Sequence, residues 1–183
     1  DQKITYNHLA EQIPEYIDKQ YLKYSIKNNK IISLPFLDVN AGKEAYLKYF
    51  NNCWLLTEAL FHSLKYKESF YQKPYHLLRH PLIFYYGHVA SLYVNKMLVA
   101  GLIEQPVNAD FESVFETGVD EMTWDVDTAA DEISWPALEE VQEYRKQVYQ
   151  LVSKIIEETN YFAQPLNQQN PLWAILMSFE HER

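Results

Sequence analysis

Apolar residues recur at helical spacing through most of this chain. From about Lys43 to Leu64, Tyr46, Phe50, Trp54, Thr57 and Phe61 fall on one stripe. A second helix is predicted from about Pro81 to Leu102, opened by proline at its first position and closed near Gly101. A third runs from about Pro136 to Thr159, with Leu138, Val141, Val148, Val152 and Ile155 as its core stripe. A fourth begins at Asn170-Pro171, an N-cap followed by a first-position proline, and its pattern continues to Arg183. Helices of about 20 residues span roughly 30 Å each, the length that suits a four-helix bundle. No strand pattern competes, so the fold class read from the pattern is all-α.

Two stretches fall outside these helices. Residues 1–41 read as an N-terminal extension, weakly helical and tyrosine-rich from Tyr6 to Tyr24, broken near Pro14, then a loop through Ser33-Leu34-Pro35-Phe36. Residues 42–183 read as the bundle, expected to stop inside its last helix. A long connection joins about Asn108 to Trp135, and a loop of that size is usually functional or a crossover.

Composition supports a packed core. Of 183 residues, 48% are hydrophobic, with 15 Tyr, 9 Phe and 4 Trp, enough burial to offset the entropy of ordering. Four Gly in the whole chain suit long helices better than a many-turned β architecture. The formal charge of −9 disfavours a nucleic-acid partner or an anionic membrane surface. Between Asp110 and Glu132 stand nine acids and no Lys or Arg (Asp110, Glu112, Glu116, Asp120, Glu121, Asp125, Asp127, Asp131, Glu132), which reads as a solvated acidic connection. The Asp-x-Asp-x-Asp-Gly spacing of a calcium loop is missing there. The single cysteine, Cys53, reads as a small buried apolar residue in a reducing compartment. No signal peptide opens the chain and no apolar run reaches membrane-spanning length, so the expected location is the cytoplasm.

Candidate chemistry lies with six histidines: His8, His62, His76, His80, His88 and His181. His76 and His80 have i, i+4 spacing, but Pro81 pushes His80 out of helical backbone, so His80 reads as the cap of the second helix. His88 lies inside that helix on a face with Phe84, Ser91 and Leu92. Gly87 and Ala90 beside it allow another helix to approach closely. On residues alone a lone core histidine is usually hydrogen-bonded and structural. His181 stands on the last helix between Glu180 and Glu182, one turn beyond Met177, where a solvated side chain is the plain reading.

The run Pro74-Tyr75-His76-Leu77-Leu78-Arg79-His80-Pro81-Leu82-Ile83-Phe84-Tyr85-Tyr86-Gly87-His88 resembles the N-terminal DinB-like domain of the 5-histidylcysteine sulfoxide synthases of ovothiol biosynthesis. Tyr93-Val94-Asn95-Lys96 and Ala100-Gly101-Leu102-Ile103 are similar to the same family. So is Gly118-Val119-Asp120-Glu121-Met122-Thr123-Trp124-Asp125, which is closer to the ovothiol than to the ergothioneine branch. Glu180-His181-Glu182-Arg183 matches the start of that family's His-x-x-x-His-x-Glu element. The resemblance covers about residues 42 to 183 and implies a DinB-like four-helix bundle holding one Fe(II) through three histidines. By matching, His88 and His181 are metal ligands, and the third falls at position 185. It further implies an O₂-dependent enzyme that joins cysteine sulfur to the imidazole C5 of histidine as a sulfoxide. Substrate and catalytic residues would belong largely to a C-terminal catalytic domain, so none is assigned here. Neutral imidazoles suit Fe(II), and a facial set of three leaves positions open for a thiolate and O₂.

Three other readings stay open. One is ergothioneine- or selenoneine-type synthesis on the same scaffold. Another is a DinB-like metal-dependent thiol transferase, which needs no O₂. The last is a helical interaction module in which His88 is simply core.

Overall fold

A computed structural model describes residues 13–28, 30–76, 79–116 and 133–183. Among them are six α-helices: α1 (Lys19–Ser25), α2 (Lys43–His62), α3 (Leu82–Val99), α4 (Ala109–Val114), α5 (Leu138–Glu158) and α6 (Trp173–Glu182). The architecture is all-α, as the periodicity implied. α2 and α3 each pack against both α5 and α6, so the four form a bundle with α2 and α3 at opposite corners. α1 lies against α2, and the short α4 lies against α3. No helix among the described residues is long and apolar enough to cross a membrane.

The stripe on α2 is buried throughout, with Tyr46, Phe50 and Trp54 fully enclosed. Phe50 stacks on Tyr149 of α5 at 5.4 Å and on Phe179 of α6 at 5.9 Å, so one ring locks three helices. A full aromatic side chain buried this way contributes about 2–3 kcal/mol. On α5, Leu138, Val141, Val148 and Val152 are buried as expected, with Ile156 rather than Ile155 completing the stripe. Cys53 is a free thiol inside this core, where burial pushes its pKa well up and leaves it unreactive.

Several boundaries differ from the sequence reading. Pro81 is the N-cap of α3 in extended backbone (ψ 158°), so it precedes the helix and His80 does not cap it. A proline loses nothing at a cap, because its missing N–H would have been unsatisfied there. α6 begins at Trp173, two residues after Pro171. Asn170 still organises the entry, its side-chain oxygen accepting from the Leu172 N–H at 3.0 Å and its carbonyl from Trp173 at 2.9 Å. A two-residue antiparallel hairpin, Ile26–Lys27 with Lys30–Ile31, follows α1. Strands that short carry no readable alternation. Asn28, at φ 52°, makes its turn in the left-handed region that asparagine tolerates.

The acidic connection is not uniformly solvated. Glu112 is buried, and its Oε1 accepts from the N–H groups of Val107 and Asn108 (both 3.0 Å) and from the Tyr144 hydroxyl (3.1 Å). The acids from Asp120 to Glu132, the motif 118–125, and the stretch from Tyr6 to Glu11 lie outside the described residues.

The bundle centre also holds a charge pair invisible to an apolar count. Arg145 on α5 donates through Nε to Glu58 on α2 at 2.7 Å, with both side chains fully buried. Its guanidinium lies 4.3 Å from the Trp54 ring centroid and 4.4 Å from that of Tyr86. The hydroxyls of Tyr86 (2.8 Å) and Tyr16 (3.0 Å) also donate to Glu58. Burial would raise the Glu58 pKa, but Arg145 and the surrounding donors outweigh it and hold the carboxyl at about 2.

Candidate metal centre

α3 carries His88 inward, 7% exposed, with its ring stacked nearly parallel (11°) on Phe84 one turn earlier. Its Nδ1–H donates to the main-chain carbonyl of Phe115 at 2.7 Å. A carbonyl only accepts, so this bond fixes the proton on Nδ1 and leaves the Nε2 lone pair pointing away from it. The carbonyl is itself held. Asn108 caps α4 through Phe111 N–H (3.1 Å), Glu112 ties the start of that segment, and the Asn95 amide donates to Glu112 O at 3.2 Å and to Glu116 Oε2 at 2.9 Å. The group that approaches Gly87 is therefore the Phe115 ring, not another helix of the bundle. A Cβ at Gly87 would overlap that ring.

α6 brings His181 to the same place from the other side. His181 is exposed, and its Nε2 lies 3.4 Å from His88 Nε2. The next residue anchors the helix end. The Glu182 carboxylate accepts from Thr57 of α2 at 2.8 Å and from Tyr93 of α3 at 2.7 Å. Burial raises the Glu182 pKa, opposed by Arg145 and these two hydroxyls. The Tyr49 hydroxyl donates to Glu180 at 3.0 Å, a further tie of α6 to α2. The half-covered setting of its ring, then His88 and Lys96, lower the His181 pKa, which keeps its lone pair available at neutral pH.

A separation of 3.4 Å is long for a hydrogen bond between ring nitrogens, whose usual range is about 2.7–3.2 Å. It suits two ligands of one cation. With metal–nitrogen bonds of about 2.1 Å, it corresponds to a ligand–metal–ligand angle of about 110°. Two neutral imidazoles are an appropriate donor pair for Fe(II) or another divalent transition metal. Among the described residues, no group of three or more His, Cys, Asp or Glu is arranged to hold a metal.

The other histidines go elsewhere. His80 packs on Phe84 at 4.3 Å and on the Trp135 edge at 5.8 Å, and its Nδ1 is buried without a hydrogen-bond partner. Neither His76 nor His80 lies in a helix, so their i, i+4 spacing has no helical meaning. His62 pairs with Glu58, and His8 lies outside the described residues. The amino-acid pattern singles out neither the Phe115 carbonyl nor the Glu182 anchor. The carbonyl is a backbone group that any residue carries, and Glu182 reads as one more acid beside His181.

The class defined by these features is a helical bundle with two imidazoles from different helices converging at its rim. Residues 49–183 match the family model of the DinB superfamily, and the chain belongs to that superfamily. Its domains are metal-associated. No curated protein matches the chain significantly.

Proposed function

We propose that this chain is the iron-binding helical part of a non-haem Fe(II), O₂-dependent sulfoxide synthase that joins cysteine sulfur to the imidazole C5 of histidine. His88 and His181 are its metal ligands in this reading. The observation that carries it is the pair of facing Nε2 atoms, with the His88 proton pinned on the opposite nitrogen by Phe115. Membership of a metal-associated superfamily supports a metal in this position. The motifs around His88 and His181 support the choice of iron and of the ovothiol reaction. A third imidazole, from position 185, and a C-terminal catalytic domain complete the site in this reading.

Iron bound here supplies a place for a thiolate and O₂ to meet. The chain's own residues hold the ligands. Phe115 orients His88, Thr57 and Tyr93 anchor the helix that carries His181, and the Phe84 ring shields one side of His88 from water. Fixing imidazole orientation through its second nitrogen is worth about 10–100-fold in metal affinity at such sites.

Oxygen uptake by the protein carrying its C-terminal domain tests the reaction. Uptake should require cysteine and histidine together. Uptake with a different thiol partner would point to the ergothioneine-type chemistry. Thiol transfer without oxygen would instead support the metal-dependent transferase. A protein that binds no metal would be an interaction module.

A further inference from the structure

Glu58 is shared by two basic side chains. Arg145 holds one carboxylate oxygen at 2.7 Å, and the His62 Nδ1 lies 3.3 Å from the other and 2.9 Å from the Glu58 carbonyl. The hydrogen bond to Glu58 raises the His62 pKa, against the opposing effect of burial, and favours the imidazolium. When His62 is protonated, one buried acid between two cations leaves one positive charge over. It faces outward, because Arg145 is sealed in the core while His62 is only half-buried at the end of α2. With Nδ1 engaged, Nε2 is the ring nitrogen left to the surface.

His62 lines two neighbouring hollows, and Tyr86 and Gln142 border both. One hollow, of about 330 Å³, has a polar rim that includes Glu143 and Lys146. The other, of about 150 Å³, is walled by Phe61, Leu64 and Phe70. The rim charges cancel in pairs, Lys67 with Glu139 at 2.6 Å and Lys146 with Glu143 at 3.3 Å. The surplus of one therefore belongs to the protonated His62. The larger hollow alone is of a size that holds small molecules.

We propose that these two hollows, separate from the His88–His181 pair, together bind a small monocarboxylate with an apolar tail across His62. The carboxylate sits on His62 Nε2 and the tail fills the hollow of Phe61, Leu64 and Phe70. A single surplus charge matches a monoanion better than a dianion. Because neither His88 nor His181 takes part, this proposal stands or falls apart from the metal reading.

Phenylacetate, and phenylacetamide as its neutral counterpart, are the probes. Each is titrated into the protein while imidazole signals are followed by NMR, the His62 signal being the one lost in His62→Gln. Phenylacetate should shift the His62 signal saturably and bind about tenfold more tightly than phenylacetamide. His62→Gln should remove that preference, and Leu64→Glu should weaken phenylacetate by about tenfold or more. Equal affinity of the native protein for the two probes, or a shift that climbs linearly without saturating, would overturn the proposal whatever the variants do.

Discussion

Phe115 meets the helix of His88 twice. Its carbonyl accepts the His88 Nδ1–H at 2.7 Å, and its fully buried ring occupies the space a side chain on residue 87 would need. The same residue thus orients the imidazole and requires the glycine beside it. Gly87→Ala should cost about 1–3 kcal/mol of stability by overpacking, read from the denaturant midpoint. It should also lower metal affinity, because the Phe115 backbone must move. Unchanged stability and unchanged affinity would mean that the ring turns aside freely.

The Glu58–Arg145 pair should dominate the response to charge removal. Glu58→Gln leaves a guanidinium buried without its counter-ion, an outcome that costs about 3–5 kcal/mol. Replacing both residues by apolar ones of similar size should cost less than that single change. Urea unfolding of the two variants makes the comparison.

Acid sensitivity follows from the same carboxyl. Its folded value of about 2 lies below the ordinary 4.5, so the stability it contributes is whole above about pH 4.5 and is lost as pH falls toward 2. The gap in unfolding free energy between the native protein and Glu58→Gln should narrow over that window, by on the order of 3 kcal/mol. His62 acts in the opposite sense. Its raised value contributes stability that is present below the ordinary 6.5 and is lost as pH rises through the folded value.

Tyr93→Phe tests the anchor of α6. It removes the 2.7 Å donor to Glu182 and leaves an oxygen of this half-buried carboxylate short of a partner. A loss of about 1–3 kcal/mol is expected, together with weaker metal binding, since Glu182 adjoins His181. Thermal unfolding and metal titration of one sample read both effects.

Much of the bundle is legible in the sequence, because Tyr46, Phe50 and Trp54 on α2 and Val141, Val148 and Val152 on α5 repeat at the helical period. The convergence of His88 and His181 comes from matching motifs, since spacing within one chain does not reveal which helices are neighbours. Glu58 and Arg145 stay hidden because a pattern of apolar positions has no place for charges in the core. Glu112 reads as one of the solvated acids, and only the fold of residues 107–115 turns it inward. Pro81 reads one step too far into its helix because proline suits the cap and the first helical position alike. The hairpin after α1, with two residues per strand, is held by pairing alone and leaves no period to read.

The most direct test is anaerobic Fe(II) titration of this chain by calorimetry, beside His88→Ala and His181→Ala. With two imidazoles, binding should be measurable but weak, and each variant should lose at least about tenfold in affinity while keeping its helical circular dichroism. Equal iron binding by all three proteins, or unfolding of His88→Ala with no change in the metal bound, would contradict the assignment of these histidines as a pair of ligands.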